Sequence, residues 1–119
     1  MVYWATKYAI LLMGLKVCAG CGQKIEVVEQ IDSATGNLIV EYEVFRNEET
    51  NKPIRHGCYR RYHEDLTYRV VGEYENDKRD GKWIWYYASG VREREGYYKG
   101  GKTLGKFVFY YENGQIKRE

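Results

Sequence analysis

Short segments in which apolar and β-branched residues alternate with polar ones run through most of the chain, and glycine-rich stretches separate them. Such alternation has the period of a β-strand, because successive side chains of a strand point to opposite faces. Residues 82–87 are almost wholly apolar and aromatic, and there the same period places Trp83 and Trp85 on one face and Ile84 on the other. This strand is therefore expected to be apolar on both faces.

The second half of the chain repeats itself every 24 residues. The repeated positions are mostly glycines and aromatics: Gly57, Gly81 and Gly105; Tyr62, Tyr86 and Tyr110; Gly90 and Gly114. A constant interval held by both residue types is typical of a repeat array. Each unit has room for two strands and two turns. The predicted strands are residues 82–87, 91–98 and 106–111, and the predicted turns are 88–90, 99–102 and 112–114.

Two further glycines, Gly72 and Gly96, also lie 24 residues apart, but they fall inside the predicted return strands. A glycine within a strand weakens it unless another group lies close over the backbone. An aromatic ring from the neighbouring strand, Trp83 or Phe107, is expected to cover these positions. The repeat therefore predicts a stack of hairpins that forms one extended antiparallel sheet.

The first half of the chain carries a different pattern. Residues 24–31 and 38–45 predict the two strands of a hairpin, with turn-forming residues at 32–37 between them and a polar connection at 46–54. Residues 1–17 are the least polar segment. They fit either a first buried strand or helix, or a short signal sequence that ends at Cys21, the residue lipidated in a bacterial lipoprotein. The apolar run at 8–15 is too short to span a bilayer.

Residues 81–90, 96–102 and 105–114 resemble MORN-variant repeats, and the likeness extends over residues 55–119. The first copy departs from the pattern at Cys58 and at Leu66, which stands in the place of Gly90 and Gly114. The resemblance implies an all-β fold, a single-layer sheet of antiparallel hairpins. In bacteria such repeats often occur in proteins regarded as the antitoxin side of toxin–antitoxin pairs. We therefore expect residues 1–54 to cap the array and residues 55–119 to form it.

Cysteine and histidine residues suggest a structural zinc site. Cys18 and Cys21 form a knuckle-like turn in which two thiolates can reach one ion. His56 and Cys58 lie at positions i and i+2 of an extended segment and can supply the other two ligands, with His63 as an alternative fourth ligand. The predicted cap is thus a zinc-knuckle-like hairpin. Unrelated buried thiols, a redox Cys-x-x-Cys pair or the lipidated Cys21 are the alternatives.

Composition and charge argue against several functional classes. Net charge is +2, and 14 Lys/Arg oppose ten Asp/Glu in residues 54–119, which is less basic than nucleic-acid binding requires. Cys58 with His56 or His63 lacks an orienting partner, and the glycine-rich turns lack the helix that follows a phosphate-binding loop. We therefore expect a protein that is not an enzyme and takes no small-molecule substrate.

The aromatic residues point to a binding role. Ten of the 13 tyrosines lie from Tyr59 onward, and a single-layer sheet cannot bury both faces. The residues expected to contact a partner protein are Trp83, Trp85, Tyr87, Phe109 and Tyr111. The resemblance implies a cytoplasmic neutraliser of a toxin or defence effector. The alternatives are a membrane-associated scaffold or lipoprotein anchored at Cys21, and a zinc-knuckle nucleic-acid binder.

Overall fold

The computed structural model describes residues 8–17 and 24–119, which form nine strands joined by turns. The strands are β1 (Tyr8–Val17), β2 (Lys24–Asp32), β3 (Leu38–Arg46), β4 (Pro53–Tyr62), β5 (Tyr68–Glu75), β6 (Lys78–Tyr86), β7 (Arg92–Lys99), β8 (Lys102–Tyr110) and β9 (Ile116–Arg118). They pair in chain order, each antiparallel to the next, in one sheet. The predicted all-β hairpin array is confirmed. Within these residues no helix has the length and apolarity to cross a membrane.

The first half folds as the alternation predicted. The hairpin of β2 and β3 is confirmed, and the connection to β4 is slightly shorter than expected, because β4 already begins at Pro53. The apolar N-terminal segment contributes strand β1, which pairs with β2 from Tyr8↔Asp32 to Val17↔Lys24. Cys18 and Cys21 lie outside the described residues. The sheet therefore continues without interruption from β1 to the repeats.

The repeat strands run further toward one pair of turns than the sequence indicated. Strand β6 starts at Lys78 rather than at residue 82, and β8 starts at Lys102 rather than at residue 106. The reason is that Gly81 and Gly105, with φ of 72° and 73°, form bulges inside the strands instead of ending them. Their matching backbone angles confirm that the copies share one conformation.

The hydrophobic core lies on one face of the sheet, which we call the aromatic face and which carries Tyr59, Tyr74, Trp83, Trp85, Tyr98 and Phe107. Cross-strand partners share a face of the sheet. The pairs Val28↔Tyr42, Tyr42↔Tyr59 and Tyr59↔Gly72 therefore place strands β2 to β5 in register on it. The buried apolar residues of the described chain are Val28, Val40, Val44, Val70 and Trp83. The face carrying Glu41, Arg60, Ile84 and Glu95 is called the opposite face.

Gly72 and Gly96 are covered by rings, as the sequence predicted. A Cβ atom built at Gly72 would overlap the indole of Trp83, and one built at Gly96 would overlap the ring of Phe107. Only a residue without a side chain allows these rings to lie flat on the strand. The ring-over-glycine contact thus fixes the packing between β5 and β6 and between β7 and β8.

Candidate functional site

Trp83 is the centre of the aromatic face. Its ring centroid lies 5.2 Å from that of Tyr74, 5.4 Å from Tyr59 and 6.1 Å from Trp85. Its indole N–H donates to the carbonyl of Glu73 at 3.1 Å, and the residue is 1% exposed. Trp83 was expected to contact a partner, but the structure places it in the core, where its interactions stabilise the sheet.

The other residues expected to bind a partner lie nearer the surface. Trp85 and Phe109 are half-buried on the aromatic face, and Tyr87 is half-buried at a turn, where its hydroxyl donates to the carbonyl of Tyr110 at 2.8 Å. Tyr111 is 49% exposed. Trp85 and Tyr87 lie on β6 and in the turn after it, in the middle of the array, whereas Phe109 and Tyr111 lie at its C-terminal end, and the structure does not unite the four in one pocket.

Arginine side chains cover the rings of the aromatic face. Arg79 lies 4.7 Å above the ring of Trp83 and donates to the hydroxyl of Tyr98 at 3.1 Å. Arg55 lies 4.2 Å above Tyr74. Arg94 and Arg118 cover the rings of Trp85 and Phe109 at 4.4 and 4.3 Å, respectively. Sequence reasoning missed these arginines.

A signal for them was present in the sequence. Arg55 and Arg79, like Arg94 and Arg118, are separated by the 24-residue period, as are Tyr74 and Tyr98. A cation that recurs in step with aromatic residues predicts contact between the two, because guanidinium groups stack on ring faces. The repeat was predicted from its glycines and aromatic residues alone, so these arginine–aromatic pairs were not predicted.

The opposite face holds paired charges. Glu95 forms ion pairs with Arg92 at 2.8 Å and Lys82 at 3.4 Å, and it accepts a hydrogen bond from the hydroxyl of Tyr110 at 2.9 Å. Burial acts to raise the pKa of Glu95, but this hydrogen bond and the two cations outweigh it and lower the pKa below its usual range. The charges of this face therefore stabilise the sheet itself.

Glu41 plays the same part at the N-terminal end of the opposite face. Its carboxylate accepts from Arg60 at 2.7 Å and from the hydroxyl of Tyr62 at 2.8 Å. Burial of Tyr62 and this hydrogen bond raise the pKa of the Tyr62 hydroxyl. Tyr62 and Tyr110 thus use equivalent repeat positions to donate to a carboxylate.

Of the six large apolar side chains that are exposed in the described chain, four lie at the C-terminal end of the array, and the other two are Leu66 and Tyr68. Tyr97 is 50% exposed and Leu104 is 59% exposed, and the two are partners across β7 and β8 on the opposite face. Tyr111 and Ile116 are exposed to a similar degree. Among residues 25–119, by contrast, the buried core residues lie in β2 to β6. The last three strands therefore present the larger share of uncovered apolar surface.

Two of the four expected zinc ligands lie in the described part of the chain. His56 stacks edge-on against Phe45 with centroids 5.5 Å apart, and its Nδ1 accepts from the backbone N–H of Asn76 at 3.4 Å. The backbone N–H of Cys58 donates to Glu43 at 2.9 Å. Within residues 8–17 and 24–119, no three potential metal ligands come together. The zinc site with Cys18 and Cys21 thus stays a prediction.

A cleft of about 870 Å³ lies among the turns that join β2 to β3, β4 to β5 and β6 to β7. His63 lines this cleft, and its Nε2 donates to the carbonyl of Tyr86 at 3.1 Å. The hydroxyl of Tyr87, 24 residues later, donates in the same way to the carbonyl of Tyr110. Asp65 accepts from the hydroxyl and backbone N–H of Thr67, which lowers the pKa of Asp65. These polar groups hold the turns together.

Residues 79–99 and 104–119 match the model of the family described as MORN repeat variant. The resemblance seen in the sequence is confirmed for these two segments, and the first copy, which carries the Cys58 and Leu66 departures, lies before them. No curated protein and no solved structure matches the chain significantly. Similarity to MORN repeats suggests a scaffold module that binds proteins or membranes.

Proposed function

We propose that this chain is a non-enzymatic, cytoplasmic protein-binding module that neutralises or inhibits its partner, such as a toxin or a defence effector. The array is suited to binding because its hairpins form a broad, rigid surface with no need for a catalytic pocket. The similarity of residues 79–99 and 104–119 to MORN repeats supports the binding role. The antitoxin-like role is the specific form that we propose for it.

The observation that carries this proposal is the uneven exposure along the array. Tyr97, Leu104, Tyr111 and Ile116 are exposed in or beside β7 to β9, whereas the buried apolar residues lie in β2 to β6. Exposed aromatic and aliphatic side chains with arginines nearby are the composition that protein interfaces favour. The C-terminal end is therefore the proposed contact surface.

Co-expression with the product of the neighbouring gene tests the proposal. A neutralised effector should be toxic alone, tolerated with this chain, and recovered with it as a stable complex. Tyr111→Ala should weaken that complex at least about tenfold, as expected when an aromatic interface residue is truncated. Tyr68→Ala is the matched control, because Tyr68 is 48% exposed but lies in β5, away from the proposed surface.

Failure of the neighbouring protein to bind, or equal losses from Tyr111→Ala and Tyr68→Ala, would contradict the proposed surface. The match to MORN repeats also supports a second candidate, a membrane-associated scaffold. That candidate predicts sedimentation of the chain with lipid vesicles. If that scaffold is a lipoprotein, mass spectrometry should find a mature protein that begins at Cys21.

We also propose that Cys18, Cys21, His56 and Cys58 hold one structural zinc ion. Strand β2 begins at Lys24, and the next residue, Ile25, pairs with Phe45. Phe45 in turn pairs with Ile54 on β4, and its ring contacts that of His56. Two strand spacings, about 10 Å, separate β2 from β4. Because Nδ1 of His56 accepts from the backbone N–H of Asn76, Nε2 carries the ring proton, and zinc binding requires Nδ1 to exchange this 3.4 Å hydrogen bond for the metal.

Elemental analysis tests the zinc proposal. Protein never exposed to chelator should contain about one zinc per chain, and Cys58→Ser should lower both the zinc content and the unfolding temperature. His63→Asn is the control, and it should keep its zinc because His63 already binds the Tyr86 carbonyl. Absence of zinc from the untreated protein would end this proposal.

A further inference from the structure

The aromatic face carries a row of alternating rings and guanidinium groups across its last four strands. Trp85 on β6 pairs with Arg94 on β7, Arg94 pairs with Phe109 on β8, and Phe109 pairs with Arg118 on β9. We call these four residues the arginine–aromatic row. Neighbouring strands lie about 4.8 Å apart, so the backbone positions of Arg94 and Arg118 are about 10 Å from each other.

The guanidinium groups of the row use their flat sides to stack. Arg94 lies 4.4 Å above the Trp85 ring, and Arg118 lies 4.3 Å above the Phe109 ring. Stacking occupies the face of a guanidinium and leaves the N–H groups at its edge for acceptors in its own plane. The rings therefore orient the two arginines and reduce the entropy that they would lose on binding.

The row lacks a negative counterpart in the described chain. Neither Arg94 nor Arg118 forms an ion pair with a carboxylate among the described residues. Nε of Arg94 is also the one buried side-chain donor of these residues that finds no acceptor. The nearby carboxylates Asp80 and Glu95 lie on the opposite face, where they pair with lysines and Arg92.

From this separation of charge we infer that the arginine–aromatic row binds an acidic segment of the partner protein. Its carboxylates would accept paired hydrogen bonds from the edges of Arg94 and Arg118. The inference deepens the proposed function and rests on it, because it assumes that the partner is a protein. The row lies on the aromatic face, whereas Tyr97 and Leu104 lie on the opposite face, so the inference adds a second contact of defined chemistry at the same end of the array.

A carboxylate partner fits the row better than a phosphate polymer or a membrane. The chain has a net charge of +2 and a pI of about 8.3, below the value of about 9 expected for nucleic-acid binding. Recognition of anionic lipids normally uses a cluster of about four to eight basic residues. The row offers two stacked guanidinium groups, which suit a few well-placed carboxylates.

The direct test is binding of a fluorescein-labelled peptide of alternating glutamate and serine, followed by fluorescence anisotropy. The same peptide with glutamine in place of glutamate is the uncharged probe. We expect the full chain to bind the acidic peptide, and Arg94→Gln/Arg118→Gln to weaken binding at least about tenfold. Arg94→Lys/Arg118→Lys should restore only part of the affinity, because lysine keeps the charge without the planar fork.

The matched control is Lys102→Gln/Lys106→Gln, which removes two positive charges from exposed positions of β8 outside the row. This variant should bind the acidic peptide within about twofold of the original chain. Equal weakening by both double variants would overturn the inference, since it would mean attraction by net charge alone. Thermal unfolding of each variant verifies that the sheet is intact.

Two further probes separate the sources of negative charge. Uridine-rich single-stranded RNA and phosphatidylserine vesicles should bind more weakly than the acidic peptide. If either binds more tightly through the same arginines, the protein-partner inference is overturned. The co-expression experiment separates the two proposals. If the complex forms and the Arg94→Gln/Arg118→Gln variant binds the partner with unchanged affinity, the row is not the binding site, but the proposed function is still supported.

Discussion

The first and second copies of the repeat form the same turns with different residues. Leu66 in the first copy has a φ of 67°, and Gly90 in the second has a φ of 89°. The N–H of Leu66 donates to the carbonyl of His63 at 3.0 Å, and the N–H of Gly90 donates to the carbonyl of Tyr87 at 2.9 Å. The turn geometry is therefore kept even where leucine replaces glycine.

The same equivalence holds where the copies are tied to one another. Residues 76–77 and 100–101 form the two-residue turns after β5 and β7, and all four have positive φ. The N–H of Asp77 donates to the carbonyl of Arg55, and that of Gly101 to the carbonyl of Arg79, both at 2.9 Å. A repeat is thus defined by its hydrogen-bond positions, and several side-chain types can satisfy them.

The largest expected effect comes from Gly72 and Gly96, the glycines that both copies hold inside the return strand. Gly72→Val should lower the free energy of unfolding by about 3 kcal/mol and Gly96→Val by about 2 kcal/mol. Each new side chain collides with a ring, and Trp83 at Gly72 is more deeply buried than Phe107 at Gly96. Urea unfolding measures both changes.

Removing the ring should relieve the second collision. The double variant Gly96→Val/Phe107→Ala is expected to lose less stability than the sum of its two single variants, because the ring that obstructs valine is gone. Additive losses would show that Phe107 is not what excludes a side chain at residue 96.

An intermediate effect is expected from exchanging the turn residues of the two copies. Leu66→Gly should stabilise the protein by about 1 kcal/mol, because glycine adopts positive φ without the steric penalty of a Cβ. Gly90→Leu should destabilise it by about 1 to 2 kcal/mol for the same reason. Thermal unfolding of both variants measures the pair, and shifts of the same sign would contradict the equivalence of the turns.

The smallest expected effect is on the loss of stability at acid pH. The lowered pKa of Glu95 means that its contribution to stability is present above about pH 4.3, the usual pKa of glutamate, and is lost as the pH falls through the lowered value. The first copy has Val71 at this place, so Glu95→Val makes the copies alike. Between pH 7 and pH 3 this variant should lose up to about 1 kcal/mol less stability than the original chain.

Urea unfolding at the two pH values tests that expectation, with Glu112→Val as the control because Glu112 is exposed in a turn. The control should keep the full acid sensitivity. An identical loss in Glu95→Val and the original chain would mean that the ion pairs of Glu95 contribute nothing to acid stability.

The sequence predicted the hairpin array because the 24-residue period reports backbone geometry directly. The covered glycines Gly72 and Gly96 are the best example, since a missing side chain within a strand implies a close neighbour. The strand ends were less accurate, because Gly81 and Gly105 mark bulges, which look the same as turns in a sequence. Period alone also could not reveal the depth at which Trp83 lies, which depends on packing across several strands.

The ties between successive copies limit how the array can change in length. The carbonyls of Arg55 and Arg79, 24 residues apart, each accept a hydrogen bond from a backbone N–H of the following turn. At the other turns, the carbonyls of Tyr86 and Tyr110 each accept one from a side chain. Duplication or deletion of a 24-residue unit therefore preserves every pairing on either side of it. An insertion of another size within a strand would move the residues that form these hydrogen bonds out of register, whereas gain or loss of a whole unit would not.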